Sequence, residues 1–177
     1  MSKSVSNAPT ATANVGFVAT TQTSALTFVG NGGNIPDGSG SFHDEIIVTD
    51  TFNVTNVTLT LKNLTHTWVG DLAVRLRHLE TGIVVDLFRR PGQPKFSSSG
   101  YSNDLKGDYS FSDRFTANFE AAAAENTIIP SGNYACAQSL SAFCNLPSTG
   151  TWQLIINDYS AGDSGSLGSW TLELGWG

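Results

Sequence analysis

The chain has 177 residues, enough for one domain with a sizeable core, and its 40% hydrophobic against 14% charged residues exclude a disordered tail. The 9 Lys and Arg against 15 Asp and Glu give a net charge of −6, which excludes the basic face that nucleic-acid binding needs. No apolar run reaches the roughly 18–20 residues of a membrane helix, so membrane insertion is excluded as well.

In chain order, residues 1–24 are rich in Ser, Thr, Ala and Asn and read as a tail or edge segment, with a short strand at FVAT, 17–20. The opening MSKSVSNAPTATANVGFV has no continuous apolar stretch and is not an intact signal peptide. The folded domain is expected over 25–177. ALTFVG at 25–30 predicts a strand, and NGGNIPDGSGS at 31–41 a cluster of turns. Strict alternation then begins. Val57, Leu59 and Leu61 share one face, as do Leu72, Val74 and Leu76 after them. GIVVDLF at 82–88 is a shorter apolar strand, 89–112 reads as loop, and FTANFEAAAAEN at 115–126 carries the helical propensity of the chain. Two alternating strands close the sequence, with Trp152, Leu154 and Ile156 on one face of the first and Trp170, Leu172 and Leu174 on one face of the second. Half-apolar strands between Gly, Asn and Asp turns predict an all-β fold. Two antiparallel sheets would bury their apolar faces together as a β-sandwich, jelly-roll-like, of roughly eight strands.

Cys136 and Cys144 are the two cysteines. No histidine lies near them in sequence, so a zinc site is not expected. They are expected to pair as one small-loop disulfide, which implies an oxidising compartment; two free buried thiols are the alternative. The carboxylates are the candidates for chemistry. Calcium takes six to eight oxygens from bendable loops, and Asp37, Asp71, Asp113, Asp158 and Asp163 all stand in such turns. The plainer reading is that each aspartate caps backbone N–H groups of its own turn. A structural calcium ion held by a subset of these aspartates is expected; no EF-hand spacing is present, so its ligands would come from loops that meet in the fold. His66 reads as a packed turn residue. No nucleophile-elbow segment is present for a serine hydrolase. Of the four tryptophans, Trp152 and Trp170 stand in core register and Trp68 reads as packed in its turn; Trp68 and Trp176 are the two that the register leaves open to exposure, and so to a sugar-stacking platform.

Two blocks, LTHTWVGDLAVRL at 64–76 and STGTWQLIINDYSAGDSGSLGSWTLEL at 148–174, carry a pattern beyond alternation. His66-Thr67 with Gly70-Asp71-Leu72, then Gly150-Thr151-Trp152 with Asp158, then Gly165, Leu167 and Trp170 follow in that order. Ile35-Pro36-Asp37 stands upstream, and Phe111-Ser112-Asp113 and Leu140-Ser141-Ala142-Phe143 lie between. This ordered set resembles the P domain (P/Homo B domain) of proprotein convertases and kexin-like subtilisin-type proteases, in its bacterial form. The resemblance implies a secreted, non-catalytic accessory domain. Its partner would be a subtilisin-type catalytic domain, in the same chain or another, whose folding, stability or substrate contact it supports. The alternative is a stand-alone extracellular binding module for carbohydrate or protein.

Overall fold

The computed structural model describes residues 23–177. FVAT at 17–20 lies outside the described residues. Ten strands and one short helix follow in order: β1 Ser24–Ile35, β2 Ser41–Val48, β3 Asn56–His66, β4 Leu72–His78, β5 Ile83–Arg89, β6 Asp104–Ser112, α1 Phe119–Glu125, β7 Ile128–Ile129, β8 Gly132–Tyr134, β9 Gly150–Asp158 and β10 Gly165–Trp176. One sheet has the order β1-β10-β3-β6-β7, with β8 also on β6. The other has the order β2-β9-β4-β5. All the long strands pair antiparallel; β7 and β8 run parallel to β6.

The alternation in the sequence becomes the core directly. Leu59, Leu61, Leu72, Val74, Leu76, Trp152, Leu154, Ile156, Trp170, Leu172 and Leu174 are all fully buried. They fill the space between the sheets, as expected where each sheet has one wet face. Phe88, Tyr109, Phe111, Phe119 and Tyr134 extend this core as a connected aromatic set. Phe119, from α1, stacks on Phe88 at 4.6 Å. The helix forms where its propensity predicts. Asn118 caps it by accepting from Ala121 N at 3.0 Å.

Two segments differ from expectation. The turn cluster at 31–41 begins as strand, because β1 runs through the glycines to Ile35. Gly32 is there for space: a Cβ would collide with the Leu167 carbonyl of the neighbouring β10. The loop at 89–112 hides β6. Leu105, Tyr109 and Phe111 point inward with period two, but Gly107 replaces the fourth inward side chain, and Lys106 and Asp108 dilute the apolar signal.

Candidate functional site

The antiparallel register brings both motif blocks to one end of the sandwich. β3 ends at His66, which pairs with Gly165 at the start of β10. β4 starts at Leu72, which pairs with Asp158 at the end of β9. A 3-10 turn, Val69–Asp71, carries the chain from the first sheet to the second. Gly165 must be glycine, since a Cβ there would meet the Thr65 carbonyl and crowd the His66 ring.

The centre of this end is a hydrogen-bonded pair without solvent. His66 Nε2 lies 3.0 Å from Asp158 Oδ2, and both side chains are 0% exposed. The other ring nitrogen, Nδ1, sits 3.1 Å from Trp68 N and 3.0 Å from Trp68 O. Nε2–H donates to the carboxylate. Nδ1 then accepts from the Trp68 amide in the neutral ring, or donates to the Trp68 carbonyl in the charged one. Asp158 Oδ1 accepts from Ser160 N at 3.1 Å, so the carboxylate is satisfied on both oxygens. Such full pairing is what a buried charge requires.

Asp71 closes the knot from the adjacent turn. Its carbonyl accepts from Tyr159 N at 2.9 Å, which fastens the turn after β3 to the loop after β9. Burial pushes the Asp71 carboxyl above its ordinary value; the Asp158 charge and, more weakly, Asp163 add to this, while the Ser160 hydroxyl and His66 oppose it. Arg90 stands over the group, with Nη2 3.9 Å from Asp71 Oδ1 and Nε donating to Gly70 O at 3.1 Å. Asp163 Oδ1 accepts from Thr67 Oγ1 at 2.8 Å, and Asp37 Oδ1 accepts from Gly162 N at 2.9 Å. Four of the five expected metal ligands therefore gather at this end.

The fifth does not. Asp113 lies beside the opposite end of β3, about 30 Å away at the usual rise per strand residue. Both its oxygens cap the 3-10 turn Leu140–Phe143: Oδ1 accepts from Leu140 N at 3.0 Å, and Oδ2 from Ser141 N at 2.8 Å and Ser139 Oγ at 2.6 Å. Two sequence elements noted separately, Phe111-Ser112-Asp113 and Leu140–Phe143, are thus one capping unit. Their spacing alone gave no sign of it.

The carboxylates at the His66 end are turned to protein partners. Asp158 is spent on His66 and Ser160, Asp71 faces a guanidinium, and Asp163 and Asp37 each accept from a neighbour. Among the described residues no three His, Cys, Asp or Glu side chains come together as a metal-binding group. A hard cation needs several free oxygens converging on one point. The arrangement serves as a polar lock between four loops. His66–Asp158 does not have the arrangement of a hydrolytic dyad: both ring nitrogens are engaged, and among the described residues no hydroxyl or thiol hydrogen-bonds to the ring. His43 does rest against Ser41 Oγ, on the exposed side of β2, with no carboxylate behind the ring.

The expected disulfide is not formed: Cys136 and Cys144 are free thiols in this structure. Cys144 Sγ donates to Thr55 O at 3.2 Å. Cys136 lines a cleft of about 320 Å³ with Phe88 and Phe119, and burial, helped by Asp113, pushes its thiol up to about 12. Trp68 and Trp176 are the two tryptophans that the strand register left open to exposure. Both are half-buried. Trp68 Nε1 donates to Ser99 O at 2.9 Å, and Trp176 packs on Phe52 at 4.6 Å.

A family model described as the proprotein convertase P-domain matches residues 54–174. The chain belongs to that family. The match holds both motif blocks and hence every strand of the His66 end except β1 and β2. No curated protein matches the sequence. Among solved structures, the P domain resembles the Aeromonas sobria serine protease in its complex with the chaperone ORF2, with a TM-score of 0.53 and 14% identity over 87% of this chain. The same protease solved without that partner gives a TM-score of 0.50 at 12% identity, again over 87% of this chain. These likenesses concern the fold. The chain spans about a quarter of that protease, 27% of its length. No helix among the described residues is long and apolar enough to cross a membrane.

Proposed function

We propose that this P domain is a non-catalytic accessory domain of a secreted subtilisin-type serine protease, acting on the folding and stability of the catalytic domain. Membership of the P-domain family carries the reading. A structural role is supported further by the motif residues His66 and Asp158, which are sealed together in a buried lock. A domain fixed by a buried, fully paired network keeps one shape and can hold a partner in register. The test compares the parent protease produced with this chain and with it deleted. The reading expects little or no active enzyme, or a much shorter half-life on heating, after deletion. Equal yield and equal half-life would overturn it.

A further inference from the structure

The protein is acidic overall, yet its arginines are segregated. Of the five, Arg75 and Arg77 stand on the outward side of β4, Arg89 ends β5 and Arg90 follows it. The fifth, Arg114, pairs with Glu173 on the other sheet at 2.9 Å. The outward side of β2-β9-β4-β5 thus gathers cations within a molecule of net charge −6.

Three of these cations lack a carboxylate partner. Among the described residues, Arg75, Arg77 and Arg89 have no carboxylate oxygen within 4.0 Å, whereas Lys62, Arg90 and Arg114 do. Arg75 Nη2 donates to Asn157 Oδ1 at 2.7 Å, but the Nε atoms of Arg75 and Arg77 are buried with no hydrogen-bond partner. They are the two such side-chain atoms among the described residues. Of the carboxylates on the same side, Glu45 is engaged by Gln153 at 2.9 Å, and Asp86 stands opposite Arg75 without pairing.

The rest of the surface has the composition of an interface. The Arg89 guanidinium lies 5.5 Å from the ring centroid of Tyr159, which is 41% exposed, and Val84 is 40% exposed on the same side. No lysine occurs in β2, β4, β5 or β9. Arginine and aromatic residues enriched, with lysine depleted, is the pattern of protein–protein contact surfaces. Arginine also loses less than lysine when its hydration is removed.

We infer that the outward side of β2-β9-β4-β5 docks on an acidic surface of the protease catalytic domain, with Arg75, Arg77 and Arg89 pairing partner carboxylates around Tyr159. This rests on the accessory-domain reading, and it names the face and the chemistry by which the two domains meet.

The test uses the intact parent protease in four forms: wild type, chain deleted, R75E/R77E/R89E, and K62E/K106E as an equal-sign charge change on the opposite sheet. Half-life of activity on heating is measured at low and high salt. The proposal expects the arginine variant to shorten the half-life roughly tenfold at low salt, the scale of losing a desolvated charge pair, and the lysine variant to leave it unchanged. Arginine labelling by phenylglyoxal in the wild-type protease gives a readout independent of variant folding. Arg89, exposed in this chain, should label severalfold more slowly than Arg114. Fast labelling of Arg89, or equal effects of the two charge variants, would overturn the docking face while leaving the accessory reading intact. No effect of deleting the chain would overturn both.

Discussion

The two ends of the sandwich use aspartate in opposite ways. At the His66 end, Asp158 is without solvent exposure and faces a histidine, and Asp71 beside it is held above its ordinary pKa by burial. At the other end, Asp113 is exposed and accepts three hydrogen bonds from Ser139, Leu140 and Ser141. The first arrangement ties β3, β4, β9 and β10 together, and its members cannot be changed singly without leaving a buried charge or dipole unpaired. The second fastens one short turn, with water ready to replace it. The difference teaches where to look for the residues that define the family: at the end where the cost of a missing partner is highest.

Four results would break or sharpen that contrast. The largest effect is expected for Asp158→Ala, which strands the His66 ring in the core. Removing one member of a buried pair costs about 3–5 kcal/mol, so urea unfolding should show a midpoint far below wild type. A loss under about 1 kcal/mol would mean that the pair is no lock. At the opposite end, Asp113→Ala removes a cap, and the same assay should show a loss of about 1 kcal/mol.

A smaller effect depends on pH. The Asp71 carboxyl is raised by burial and by Asp158, so the folded state binds its proton more tightly than the unfolded state does. Its contribution therefore favours folding at low pH and is lost as pH rises from the ordinary carboxylate value through the raised one. Asp71→Asn should lose that dependence, and its stability relative to wild type should improve as pH rises across this window. A difference that is flat with pH would show that Asp71 is not strained by its surroundings. The smallest effect is expected for calcium. Binding at a hundredfold excess over Kd would add roughly 2.7 kcal/mol and raise the melting midpoint by several degrees. With the carboxylates already engaged, the midpoint should be the same in calcium and in chelator. A rise specific to calcium over magnesium would return Asp37, Asp71, Asp158 and Asp163 to the role of ligands.

How much of this was legible in the sequence follows from the range of each interaction. Period-two alternation is local, so the core residues from Leu59 to Leu174 could be placed before any fold was known. β6 was lost because Gly107 interrupts its inward row, and the end of β1 because glycines that serve close packing look like turn residues. His66 could be read as a packed turn residue from its own segment. That its partner is Asp158, 92 positions away, follows only from the pairing of β3 with β10 and of β4 with β9. Asp113 could be placed in a turn, but the turn it caps lies beyond α1, β7 and β8. The aspartates could be named from the sequence as candidate calcium ligands, and the structure brings Asp37, Asp71, Asp158 and Asp163, but not Asp113, to one end. Whether they face a metal or a histidine is decided by geometry that no spacing rule contains.

The central claim is that the lock at the His66 end serves the stability of a protease. Heat inactivation of the parent enzyme, carrying either the wild-type chain or the Asp158→Ala chain, tests it most directly. Proteolytic activity should be lost at a lower temperature in the variant, in step with the lowered melting of the P domain. If the variant domain melts early while the protease keeps its activity to the wild-type temperature, the domain does not stabilise its partner and the account is wrong.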